Sequence, residues 1–246
     1  MVEADDVISD PNIPAAALDL FGDAVDFIFN EQQSQGEQVQ VGGLEQVGEL
    51  AWEQLKVTLY ALALSLLIAL PAGVALGHMR RGEGLAISIG NAGRAVPELA
   101  LIALLAAFLD VGMFSLALAL CVLGVPPILT NSFVGVRGVD RNAVDAARGM
   151  GMTETEIIRK IELPLAVPTI MGGVRTATIN IVATATIAPL VGVLTLGDFI
   201  ISRNVYGDAG VLAGAILVAV MALALELALA GLQRAMTSPG LRLTRT

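Results

Sequence analysis

Polar residues set inside long apolar runs are the first candidates for chemistry in this chain. Arg94 and Glu98 interrupt one such run, Thr130 and Asn131 follow a Pro126-Pro127 pair in another, and Asn180 and Thr184 stand in a third. A charge at membrane depth is costly, so it marks either a function or a local pair. Amides and hydroxyls in such runs can line a path for a polar solute, although a threonine hydroxyl more often bonds its own helix backbone. Arg94 and Glu98 are four apart, so on one helix they can also neutralise each other. Glu226 similarly precedes Arg234 by about two turns and reads as its partner. Arg94, Glu98, Thr130, Asn131, Asn180 and Thr184 are therefore the candidate lining of a translocation path, with pore-lining and purely local roles both open.

Catalysis has little to work with. His78 is the single histidine and Cys121 the single cysteine, so no nucleophile–base pair, no metal cluster and no internal disulfide is expected. The lysines are Lys56 and Lys160, and no G-x-x-x-x-G-K-[ST] segment exists to cradle a nucleotide. No catalytic residue, metal or cofactor is assigned to this chain. His78, beside Arg80 and Arg81, reads as a membrane-edge residue, and Cys121 as a small core residue.

The elements that must position these residues follow from composition. Of 246 residues, 55% are hydrophobic and 15% charged, against roughly 45–50% and about 25% in soluble domains. Five stretches approach the ~20 apolar residues that a span needs: about 55–77, 86–109, 112–133, 166–195 and 210–232. The expected fold class is an all-α membrane protein of about five transmembrane helices. Arginine and lysine gather after the first, third and fifth spans, which places those ends in the cytoplasm and the N-terminus outside.

Twelve of the 23 acids and none of the 14 bases lie within residues 1–53. Residues 1–50 thus read as an acidic extracytoplasmic tail, 51–235 as the membrane domain with a loop at 137–164, and 236–246 as a cytoplasmic tail. The acidic start lacks the basic end and short apolar core of a secretory leader, and it is not a nucleic-acid-binding feature. Within it, Leu18, Phe21, Val25, Ile28 and Phe29 share one helical face, while "SQGEQVQVGG" reads as a linker.

The loop "DAARGMGMTETEIIRKIELPLAVP", Asp145–Pro168, is charged yet patterned. Asp140 suits an N-cap, Ala146 and Ala147 favour helix, and Gly149 and Gly151 interrupt it. Thr153 with Glu156 forms a capping box that starts a second helix. Ile157, Ile158 and Ile161 lie on one side of it, Arg159 and Lys160 on the other, and Pro164 is expected to end it. The result is a helix–bend–helix module that presents small and apolar residues to the cytoplasm, as a docking surface would.

Asp145-Ala146-Ala147, Gly151 and Ile161-x-Leu163-Pro164 resemble the E-A-A-x-x-x-G…I-x-L-P motif of the membrane subunits of binding-protein-dependent ABC importers, with Asp145 in place of the usual Glu. Over roughly residues 52–240, segments such as "NAGRAVPELALIALL" and "ELPLAVPTIMGGVRTATINIVATATIAPLVG" resemble the osmoprotectant branch, whose members carry glycine betaine, choline, carnitine or proline. After Val191-Gly192 the chain departs from the branch's glycine-rich turn with Val193-Leu194-Thr195.

The resemblance implies a type I importer fold, with the loop as a coupling helix that seats in a groove of an ATP-binding subunit. The residues it assigns to coupling are Asp145, Ala146, Ala147, Arg148, Gly151, Ile161, Leu163 and Pro164. It implies as partners an ATP-binding subunit dimer that carries ATP and Mg, a second permease copy, an extracytoplasmic substrate-binding protein and the lipid bilayer, with no nucleic acid. Aromatic residues are too few for a quaternary-ammonium cage, so ligand recognition is expected in the separate binding protein. The competing expectations are a permease of the same architecture for an amino acid or sulfonate, and an ion-coupled secondary transporter.

Overall fold

The computed structural model describes residues 13–36 and 39–237, with the side chains of 13–16, 92 and 94 outside that description. In chain order the elements are α1 (Ile13–Phe29), β1 (Glu31–Gln33), β2 (Gln40–Gly42), α2 (Gly43–His78), α3 (Glu83–Ala95), α4 (Glu98–Leu109), α5 (Met113–Arg137), α6 (Arg141–Gly149) and α7 (Glu154–Ile157). A π turn at Ile158–Glu162 leads into α8 (Leu163–Thr184), then a 3-10 turn at Ala185–Val191, α9 (Gly197–Ile201) and α10 (Arg203–Met236). The chain divides into two compact units, one built from residues up to 54 with 186–220, the other from 55–185 with residues from 221 onward.

Among the described residues, four helical runs are long and apolar enough to cross a membrane: α2, α5, Glu154–Val191 and α10. The run at 86–109, expected as one span, is instead two helices. Val96 and Pro97 are extended between α3 and α4, because proline has no N–H to continue a helix and disfavours helix in the residue before it. Arg94 and Glu98 therefore do not share a helix, and the four-residue spacing no longer sets their backbones one helical turn apart. Span one starts twelve residues earlier than the apolar run, at Gly43.

In the first unit the tail is built onto a small aromatic core. Phe27 meets Phe199 at 5.3 Å and Tyr206 at 6.1 Å, and Phe199 meets Tyr206 at 4.9 Å, all edge to face, the arrangement that ring quadrupoles favour. The buried side of α1 is not the apolar stripe read from the sequence, which stays mostly exposed. Ala24 and Phe27 are buried, whereas Leu18, Phe21, Val25 and Phe29 are exposed and Ile28 is half-buried. The helix carries apolar residues on two sides, and the aromatic partners some 170 residues away select the Phe27 side.

The segment read as a linker contains β2, paired antiparallel with β1 in the register Gln32↔Val41. Gly42 then turns the chain with φ +83°, where a Cβ would lie 2.6 Å from the Phe27 carbonyl oxygen. Its N–H donates to Gln46 Oε1 at 2.7 Å, which closes the start of α2.

The second unit is organised around α5, the most buried of its long helices. Small residues let its neighbours approach at backbone distance, as membrane helices do where apolar burial cannot drive association. A Cβ on Gly73 of α2 would lie 2.6 Å from the Leu129 carbonyl oxygen, and one on Gly173 of α8 equally close to that of Pro127. Gly93 of α3 stacks on the Pro126 ring, and Gly124 of α5 receives Ser65 of α2. The Ser65 hydroxyl donates within α2 to Ala61 O at 2.7 Å and reaches Cys121 O of α5 at 3.1 Å. Gly73→Ala should destabilise the purified protein by about 1–3 kcal/mol through overpacking, read as a lowered thermal midpoint. Gly22→Ala, on an open helical surface, should not lower it.

Candidate functional site

The charged module after α5 is a folded unit with its own core. The Asp140 carboxylate accepts the Asn142 N–H at 3.0 Å and starts α6. Val144 and Ala147 on the inner face of α6 pack with Val139 and Ile157, and Met152 and Ile161 close the cluster. Gly151, at φ +84°, reverses the chain, and no atom lies within 4 Å of the position its Cβ would take. Glycine adopts that left-handed conformation without steric cost.

The capping box forms as expected: Glu156 N–H donates to Thr153 Oγ1, and Thr153 N–H donates to Glu156 Oε2 at 3.0 Å. Pro164, expected to end the second helix, does not. The ladder switches to the wider π pattern at 158–162, with the Leu163 N–H donating to Ile158 O, and this carries the chain past the proline into α8.

The module's outer edge consists of Asp145, Ala146, Arg148, Gly149, Met150 and Gly151, all exposed, with Met150 at 75%. Ala147 faces inward, while Ile161, Leu163 and Pro164 are half-buried. Met150 was missed by the motif; its signal was an apolar residue flanked by two glycines at the tip of a charged loop.

Charges hold the module to its surroundings. Arg148 donates from Nε and Nη2 to the two oxygens of Glu154, both at 3.0 Å, the fork geometry of a strong pair. That hydrogen bond and charge raise the Arg148 pKa and hold Glu154 below the usual carboxylate range. Lys160 donates to Glu156 Oε1 at 2.9 Å, and this bond, with the Thr153 contacts, lowers the Glu156 carboxyl to about 2. Arg80, just after α2, donates to Val139 O at 3.1 Å. His78, the last residue of α2, lies with Nδ1 2.7 Å from Glu162 Oε2 and Nε2 3.2 Å from Glu154 Oε2. Sequence reading left His78 without these partners, because no local spacing links position 78 to 154 or 162.

A cavity of about 310 Å³ opens between α3, α5 and α8. It gathers the expected Thr130, Asn131 and Asn180 and adds Asn91, Gly90 and Thr176. Pro126 and Pro127 form part of its wall. Lacking N–H groups, they leave the carbonyls of Val122 and Leu123 without the usual helical donors. Asn131 Nδ2 donates to Pro127 O at 2.8 Å, and Thr130 Oγ1 reaches Ala86 O of α3 at 3.4 Å. Asn180 and Thr176, four apart on α8, face the same space. The lining offers amides, hydroxyls and carbonyls, which suit a transient passage of a polar solute.

Glu98 and Thr184 are not part of this lining. Thr184 Oγ1 donates to Glu98 Oε2 at 3.0 Å, tying the end of α8 to the start of α4. Arg94 closes α3, and its side chain lies outside the described residues. Thr178 is buried and donates to its own helix at Val174 O, 2.9 Å away. Glu226 has a partner on another helix: it accepts from Arg175 Nε of α8 at 2.8 Å, and Arg175 also donates to Gln233 Oε1 at 3.0 Å. Eight residues exceed the reach of a neighbouring-turn pair, and charges in apolar surroundings find each other across helices.

Residues 56–238 match the family described as "Binding-protein-dependent transport system inner membrane component". The chain is 39% identical over 199 residues to the choline transport system permease protein OpuBB of Bacillus subtilis (strain 168), covering 79% of this chain and 92% of that protein. It is equally similar, over the same shares, to the glycine betaine/carnitine/choline transport system permease protein OpuCB of that organism. A structure of the MetNI methionine ABC transporter in an inward-facing conformation shares the fold, with a TM-score of 0.71 and 23% identity over 79% of this chain and 98% of that one. The family match and these relatives define a permease of the ABC importer type. The chain belongs to the binding-protein-dependent transport system inner membrane components, as a multi-pass membrane protein.

The capping box gives a pH prediction. Glu156 is held at about 2, below its ordinary 4.5, so its contribution is present above about pH 4.5 and is lost as pH falls toward about 2. Glu156→Gln should lower the thermal midpoint at neutral pH, and the gap from the unaltered protein should close through that acidic window.

Proposed function

We propose that the chain is the transmembrane subunit of an ATP-driven importer for small osmoprotectants of the choline, carnitine and glycine betaine kind. The observation that carries this reading is the charged module. Val139, Val144, Ala147 and Ile157 form its own core, while Ala146, Gly149, Met150 and Gly151 lie on an outer edge where small residues permit close approach. An ATP-binding subunit dimer with its ATP and Mg docks there and supplies the energy. A second permease copy completes the path, and an extracytoplasmic binding protein delivers the solute. Arginine placement supports an outside N-terminus, with the 137–164 module and the C-terminus in the cytoplasm. The names of the curated relatives support the solute class. Among the described residues the cavity lining has amides and hydroxyls but no aromatic ring, which supports selection by the binding protein and low-affinity passage here.

The test is reconstitution with the ATP-binding subunit. Gly151→Arg should lose co-purification of that subunit and ATP-driven uptake. Gly151→Asn should retain most of both, because asparagine tolerates the left-handed backbone. Normal uptake by Gly151→Arg would sink the docking assignment. Asn131→Leu should lower uptake while the ATP-binding subunit stays bound. Competition between labelled glycine betaine and an amino acid or sulfonate panel decides the solute class.

A further inference from the structure

Glu162 is the one carboxylate in the π turn, and it is 2% exposed. A buried charge must be compensated or it destabilises the fold around it. The group set against it is His78, 2.7 Å away, whose side chain is 14% exposed. The second ring nitrogen faces Glu154, 3.2 Å away, and Glu154 is itself held by Arg148 of α6. One imidazole at the end of α2 thus touches both halves of the module: the turn that becomes α8 and, through Glu154, the helix that carries Asp145 and Ala146.

We infer that His78 is a positioning residue that transmits movement of the coupling module to the end of the first span, and that it does so in its doubly protonated form. This rests on the importer reading above. An imidazole donates from both nitrogens only as the imidazolium; when neutral, one nitrogen becomes an acceptor. That nitrogen would then confront a carboxylate oxygen, and one of the two contacts would open. The surrounding charges are Arg80 from the end of α2, Arg141, Asp145 and Arg148 from α6, Glu154 from α7 and Glu162 from the π turn. Arg148 is engaged by Glu154, Arg80 donates to Val139 O, and Arg141 lies 3.6 Å from Asp145. Among the described residues, His78 is the basic side chain within ion-pair distance of Glu162.

The test uses the full complex with its ATP-binding subunit in liposomes and reads glycine betaine uptake per ATP hydrolysed across about pH 5 to 8, the range in which histidine changes charge. In the unaltered complex this ratio should fall as pH rises. His78→Gln should lower it about threefold to tenfold, within the span of coupling changes produced by residues between sites, with co-purification preserved. His78→Gln/Glu162→Gln, which removes the buried charge along with its partner, should assemble normally and give a pH-independent ratio. A double variant with the unaltered protein's pH profile, or a His78→Gln complex with an unaltered ratio, would overturn the role. Absence of ATP-driven uptake by the unaltered complex would overturn the importer reading and this role with it.

Discussion

The backbones of α2, α3 and α8 all approach α5 at distances that leave no room for side chains at Gly73, Gly93 and Gly173. In an apolar medium such contact replaces the burial energy that drives association in water. The rest of the second unit depends on it. The cavity exists because α3 and α8 are held against the proline-interrupted middle of α5. The charged module is placed because it is strung between the end of α5 and the start of α8. Polar side chains then take secondary posts: Ser65, Thr130 and Asn131 satisfy carbonyls at these crossings, and Thr184 joins α8 to α4.

The module joins two contrasting features. Its interior is packed, and its outer edge is bare. The Val139, Val144, Ala147 and Ile157 cluster supplies rigidity with residues already turned inward. The exposed edge is left to a carboxylate, small residues and one flexible methionine, a side chain suited to irregular contacts. The motif therefore divides by position: Ala147 packs into the unit, while Asp145, Ala146 and Gly151 are exposed on its edge.

Local rules were legible in the sequence wherever a residue acts on its near neighbours. Asp140, the Thr153–Glu156 box and the turn at Gly151 all follow from short-range chemistry, as do the apolar runs and the family motif. Thr130, Asn131 and Asn180 were legible as polar interruptions, and tertiary packing brought them to one cavity. What failed depended on distant partners. The buried face of α1 is chosen by Phe199 and Tyr206, the partner of Glu226 sits on α8, and His78 meets carboxylates 76 and 84 residues away. Pro97 was visible as a helix breaker, yet the hydrophobic run across it suggested continuity. Pro164 misled in the opposite sense, since a π turn absorbs what an α-helix cannot.

That π turn also fixes the azimuth of everything that follows it. Successive residues of an α-helix are offset by about 100°, and a π turn houses its extra residue without breaking the rod. Removing a single residue between 158 and 162 would leave a smooth helix. It would nonetheless rotate Thr176 and Asn180 by about a quarter turn or more, away from the cavity they now face. Length in this short segment is thus a constraint of its own, separate from the identity of its side chains.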